Sequence, residues 1–344
     1  MLPWDARLAG RLDRELIDSQ LLRGNPLGDP HERPLWIYVP PGYEDEKTLY
    51  PAVYVIQGYT GHVTMWANRT PYRQPFIETA DMIFASGEAP ACIVVYVDAW
   101  TAYGGSQFVD SPGTGAYHSY LCDEVVPWVD ARYRTIADRE SRGISGKSSG
   151  GFGAMITPML RPDLFSALAT HAGDSLYELS YVPEFGKAVR FLRDYEHDIT
   201  RWWADFRSRT PFTKEADITL LIMLGCSACF SARDDGTPEL PFDQKSGALR
   251  PEVWQRWLDW DPVRRALRRR PPLTARDLDR RGHPRRVVPR PGRRGLPGRT
   301  LAHRRTRRPG AVRALRRHPR RDRLSLPARA VLACPSAGAL ALWI

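Results

Sequence analysis

The stretch GISGKSSGGFGAM, residues 143–155, sets five glycines around one Lys-Ser-Ser and constrains the chain more than any other segment. Two structures compete for it. GKSS ends like a phosphate-binding loop, but such a loop needs a glycine five residues before Gly146, so that bare amides can curl around phosphate; Ser141 stands there. The alternative is G-x-S-x-G, with Gly146, Ser148 and Gly150 in the fixed places. That pattern makes a strand-to-helix turn whose central serine sits at strained angles and needs small neighbours. SRGIS upstream reads as a short buried strand, and GGFGAMITPML downstream opens a helix. A plain tight glycine turn is the bland reading. A nucleophile turn accounts for all three fixed positions.

The rest of the chain supplies a frame for such a turn. Residues 33–43 (RPLWIYVPPGY), 50–61 (YPAVYVIQGYTG), 91–100 (ACIVVYVDAW) and 165–174 (FSALATHAGD) read as strands ending at Gly, Pro or Asp. YHSYLCDEVVPWVDARY (117–133) has helical spacing, with Leu121, Val125, Val126 and Val129 on one face and a kink expected at Pro127. Strands alternating with helices imply an α/β fold, a mostly parallel sheet covered on both faces. Residues 175–260, rich in Trp and Phe, read mainly as helices between strands, an insertion suited to a lid.

At 344 residues the chain is long enough for one large α/β domain or two small ones. Its net charge of +11 invites a nucleic-acid reading, but the charge is unevenly placed. Residues 265–344 hold 24 Arg against 3 Asp, with no Lys or Glu, a net of +21; residues 1–264 hold 26 basic and 36 acidic residues, a net of −10. Nucleic acid is therefore not the expected partner of the body. Five scattered cysteines suit a reducing compartment better than a disulfide framework, and the lone CxxC of Cys226 and Cys229 reads as ordinary helix packing. MLPWDARLAGRLDREL is charged throughout, unlike a signal peptide, and no stretch reaches the ~18 uninterrupted apolar residues of a membrane span. The expectation is a cytoplasmic protein without membrane segment, metal or cofactor; its oligomeric state is open.

In order along the chain, GNPLGDPHERPLWIYVPPGY, VYVIQGYTG, GGSQFVDS, DEVVPWVDARYRT and GISGKSSGGFGAM resemble the esterase D and enterochelin-esterase branch of the α/β-hydrolases, related to the mycolyltransferases. The resemblance covers about residues 15–264, and Lys147 and Ser149 depart from its usual Leu and Met flanks. It implies an α/β-hydrolase fold over 1–264 and a serine esterase acting on a small-molecule carboxylic ester or thioester through an acyl-Ser148 intermediate. The amide of Ser149 would be the first oxyanion donor and that of Tyr59 the second, with Gly58 letting the backbone approach. A plain strand-ending turn remains an open reading of QGYTG. Trp100 and Gln107 would line the acyl pocket. Asp98 is expected to orient a loop and His171 to be a satisfied core histidine, because the triad acid normally follows the serine and both acid and base belong on later loops.

Those later loops fall where the composition breaks. Residues 265–344 contain one aromatic residue, Trp343, ten prolines, and no Lys, Glu, Asn, Gln or Met. Read alone, this is an irregular basic tail. A reading-frame change explains it differently. Codons built from the last two bases of one residue and the first of the next let DLDRRGHPRRVV (277–288) become IWIDAGTRDEWY, a strand followed by G-x-x-D-x-aromatic. The same shift lets RRHPR (316–320) become DATHA, a base-bearing loop. Several residues are allowed at each position, and these are the family-like choices. Arg285 would then stand in the acid's place and Pro319 in the histidine's. The rivals are a hydrolase fold that has lost its triad and only binds, and nucleic-acid binding through the arginines.

Overall fold

The structure is a computed structural model and describes residues 6–44 and 47–268. These residues belong to one compact unit. Its centre is a six-stranded sheet of β1 (Arg11–Asp18), β2 (Glu32–Val39), β3 (Ala52–Ile56), β4 (Ile93–Val97), β7 (Arg142–Lys147) and β8 (Ala167–His171). The order is β1-β2-β4-β3-β7-β8; β1 and β2 run antiparallel, and β4, β3, β7 and β8 run parallel. A two-residue ribbon, β5 (Asp110–Ser111) with β6 (Gly115–Ala116), lies outside the sheet. The expected parallel-dominated α/β architecture is what the chain adopts.

The sheet has two apolar faces because β3 and β4 are apolar at every position, as strands covered on both sides must be. Tyr54, Ile56, Val95, Val97 and Ile144 pack with α3 (Val126–Arg132) and α4 (Ser149–Leu160). Val53, Val55, Val94 and Tyr96 pack on the opposite side with Ile77, Ala80, Ile83 and Phe84 of α1 (Phe76–Ala85). Each fully buried Val or Ile there contributes about 1.5–3 kcal/mol.

Leu121, Val125, Val126 and Val129 do share the buried face. The segment is not one kinked α-helix, however. It runs as a short turn α2 (Tyr117–Ser119), a π-helical stretch Tyr120–Val125, then α3 with Pro127 in its first turn. Pro127 follows the π stretch directly, where the i→i−5 bond of the Val126 amide to the Leu121 carbonyl shifts the hydrogen-bond register beside a residue that has no N–H to donate.

Residues 175–260 fold as α5 (Tyr177–Ser180), α6 (Val182–Leu192), α7 (Ile199–Ser208), α8 (Ala216–Phe230) and α9 (Pro251–Leu258). The region is helical, as expected, and contains no strand; its only bridges are isolated ones, Ala232 with Pro238 and Phe242 with Leu249. Trp202, Phe206, Trp254 and Trp257 instead form a separate aromatic core with Phe152 and Ile156 of α4. The final described helix, α10 (Pro262–Arg268), enters the arginine-rich region; Arg285, Pro319 and the rest of the expected irregular tail lie outside the described residues.

Candidate active site

Parallel strands place their following loops at one end of the sheet, where α/β folds gather reactive groups. Ile56 of β3 pairs with Val97 of β4 and with Gly146 of β7, so the chain segments just beyond these residues emerge side by side. They carry Gly58 and Tyr59, Asp98 and Trp100, and Ser148.

Ser148 has φ 55° and ψ −122°, between the last residue of β7 and the first of α4. This left-handed conformation is sparsely occupied by side-chain-bearing residues and forces the serine out of the strand-helix junction. Two contacts show why its neighbours are glycines: a β-carbon on Gly146 would lie 2.4 Å from the Gly150 carbonyl carbon, and one on Gly150 would lie 2.4 Å from the Ile56 oxygen. Ser148 remains partly exposed, Lys147 is exposed, and Ser149 is buried. Among the described residues no histidine nitrogen bonds to the Ser148 hydroxyl.

Gly58 lies directly beside this turn; a β-carbon there would sit 3.2 Å from the Lys147 oxygen and 3.8 Å from Ser148 Cβ. Tyr59 follows. Its hydroxyl donates toward the carbonyls of Tyr103 and, at 2.7 Å, Leu221. Burial raises its pKa well above the ordinary phenol value, so the group stays a donor. Ser149 begins α4, where the first amides lack intrahelical partners and favour negative charge. Its Oγ donates to Gln107 Oε1 at 2.8 Å.

Gln107 is 2% exposed, and its Nε2 donates to Cys226 Sγ at 3.4 Å, so both ends of its amide are engaged within the protein. Trp100 is partly exposed; its carbonyl accepts from Arg33 Nη2 at 3.0 Å and its ring centroid lies 5.1 Å from that guanidinium. Asp98 is fully buried, accepts from the Val63 amide at 2.8 Å and from Arg33 Nη1 at 3.3 Å, and so orients the loop after β3. Burial pushes its pKa up. His171 is partly buried and its Nε2 has no partner among the described residues, so it is not the satisfied core histidine expected; its carbonyl accepts from the Ser148 amide at 2.8 Å.

Asp174 was not anticipated. It follows β8, accepts from the Tyr181 hydroxyl at 3.0 Å, and has its pKa raised chiefly by burial. Chain order after the serine was the available signal for it. Cys226 and Cys229 are buried free thiols on α8. Among the described residues no group of three or more His, Cys, Asp or Glu is placed to hold a metal, and no helix is long and apolar enough to cross a membrane.

The sheet order, the glycine-flanked elbow and its place beside β3 and β4 define an α/β-hydrolase. The family model described as "Putative esterase" matches residues 30–277, and the chain belongs to that family. The chain is 26% identical over 168 residues to an endo-1,4-beta-xylanase/feruloyl esterase of Xylanibacter ruminicola, covering 45% of this chain and 21% of the relative. It is also 26% identical over 155 residues to the uncharacterized protein YbbA of Bacillus subtilis, covering 41% of this chain and 57% of that one. The chain thus spans less than two thirds of either relative. A solved S-formylglutathione hydrolase from Agrobacterium tumefaciens is similar at 16% identity, covering 75% of this chain and 86% of its own, with a TM-score of 0.39.

Proposed function

We propose that the chain is a serine esterase whose nucleophile is Ser148. The observation that carries this is the Ser148 turn itself, a strained, partly exposed serine at φ 55° with Gly58 packed against it. In the reaction, Ser148 Oγ bonds to the acyl carbon while the carbonyl electron pair moves onto oxygen. The amides of Tyr59 and Ser149 hold that charge. Collapse expels the alcohol or thiol with the proton taken from Ser148, and water then releases the acid. Trp100 lines the acyl pocket, the buried Gln107 stands behind it, and the helices of 175–260 roof it. The buried, unpaired state of Cys92, Cys122, Cys226 and Cys229 supports a reducing, cytoplasmic setting.

The acid and base belong to the frame-shifted residues beyond 264, so the chain as written is a slow form of this enzyme. The position of β8 supports this reading: it is the parallel edge strand of the sheet among the described residues and is only partly buried, whereas β3 and β4 are buried throughout. The test is incubation with a fluorophosphonate, followed by mapping of the adduct, on this chain and on one with the frame restored after about residue 265. Labelling of Ser148 is expected, fast in the restored chain and slow in the other. No adduct on Ser148 in either would overturn the assignment. The nucleotide sequence of the gene decides the frame change directly.

A further inference from the structure

Both proposed oxyanion donors are tied to one helix that lies far along the chain. The Tyr59 ring occupies a slot walled by three glycines. A β-carbon on Gly104 would lie 2.7 Å from Tyr59 Cζ, one on Gly105 3.2 Å from Cδ2, and one on Gly225 2.3 Å from the hydroxyl oxygen. The hydroxyl itself meets Leu221 O, one turn before Gly225 on α8. Cys229, a further turn on, donates to Gly105 O at 3.7 Å. Residues at 221, 225 and 229 stack along one helix face, so a single face of α8 grips the tyrosine and the loop beside it.

The second donor reaches the same helix through Gln107. Ser149 Oγ donates to its Oε1 and its Nε2 donates to Cys226 Sγ, next to Gly225. Gln107 and Phe108 both have positive φ, 53° and 54°, a strained pair that persists only where the surroundings over-determine it. Helix α8 is itself buried on all sides from Met223 to Phe230. A mobile cover needs weak, solvent-facing contacts, and α8 has the opposite.

We infer that α8 is a fixed strut that sets the two oxyanion amides, with Gly225, Gln107 and the Tyr59 side chain as its positioning residues. This rests on the esterase reading for the use of those amides. It separates α8 from any moving part of the 175–260 roof. The geometry matters because an oxyanion donor works only when held where the charge develops.

Tyr59→Phe tests it gently, since it deletes only the hydroxyl that meets Tyr103 O and Leu221 O; Gly225→Ala tests it by displacement. Amide exchange is measured on the full chain, and Ser148 labelling by a fluorophosphonate on whichever of the two chains takes the label. Both variants should speed exchange at residues 57–61 by roughly tenfold, leave α1 unchanged, and slow labelling by about tenfold. Unchanged exchange at 57–61 would overturn the strut. Faster exchange with unchanged labelling would show that the clamp does not serve the donor, and would overturn it equally. Absence of any Ser148 label in the parent chains defeats the esterase reading first, and the positioning role with it, whatever the exchange shows.

Discussion

The Ser148 amide donates to the His171 carbonyl at 2.8 Å, which fastens the nucleophile turn to the end of the edge strand β8. The turn is thereby held at φ 55° and ψ −122° although its residue has a side chain. These are angles of the first central position of a type II′ turn, where glycine is favoured. Ser148→Gly should therefore be more stable than Ser148→Ala by about 0.5–1 kcal/mol, the relief of strain being partly offset by the freer unfolded chain. Urea denaturation of the two variants measures it. Equal stability would show that the turn stores no strain.

Asp174 predicts a pH effect of definite sign. Burial raises its carboxyl pKa above the ordinary value in the folded chain, with the Tyr181 hydroxyl opposing weakly. The folded state therefore holds the proton longer than the unfolded one. The favourable contribution is complete below the unfolded value and is lost as pH rises through the folded value. Asp174→Asn, which keeps an oxygen for Tyr181, should raise the melting temperature at pH 8 and change it less at pH 4. A variant less stable than the parent at pH 8 would mean that the carboxylate has a partner that outweighs its burial.

What the sequence disclosed was the local part of this arrangement. β3 and β4 are unbroken apolar runs, and the glycines at 146 and 150 announce a close approach, so sheet and elbow could be read directly. β1 escaped notice because RLDRELID alternates charge with apolar residues on an antiparallel edge, a weak signal beside a buried strand. The π stretch before Pro127 has no sequence signature distinct from an α-helix. The ties of the site were illegible for another reason. Tyr59 meets Leu221 across 162 residues and Gln107 meets Cys226 across 119, and no local pattern encodes a partner that distant. Gly225 inside an apolar helix looks like a mere helix weakener until the tyrosine is placed beside it.

The helical region has its own weak point in Asp217. It is fully buried at the start of α8 and accepts from Arg209 at 2.6 and 2.8 Å, from the Lys214 amide at 3.1 Å, and from Trp202 Nε1 at 3.3 Å. Arg209 chiefly holds its carboxyl below the ordinary range. Asp217→Ala leaves those donors facing a void and should cost about 3–5 kcal/mol at pH 7. Because the folded pKa is depressed, the parent's advantage exists above the unfolded value and disappears as pH falls through the folded one. Parent and variant should converge in stability in acid. A constant difference down to pH 2 would place the effect in packing and not in charge.

Hydrolysis of p-nitrophenyl acetate should be slow in this chain and rescued by restoring the frame after about residue 265. A serine hydroxyl is a weak nucleophile until a histidine takes its proton, and no histidine ring nitrogen among the described residues bonds to the Ser148 hydroxyl. His283, His303 and His318 lie outside the described residues. Triad losses cost roughly 10⁴–10⁶ in rate where they have been measured, leaving mainly what the oxyanion donors supply. The restored chain should exceed the present one by about that factor and lose its activity with Ser148→Ala. If the chain as written already hydrolyses the ester at the restored rate, and Ser148→Ala abolishes it, then a base acts here without the later loops. The partly buried His171 beside the nucleophile's own strand would be the first residue to replace in looking for it.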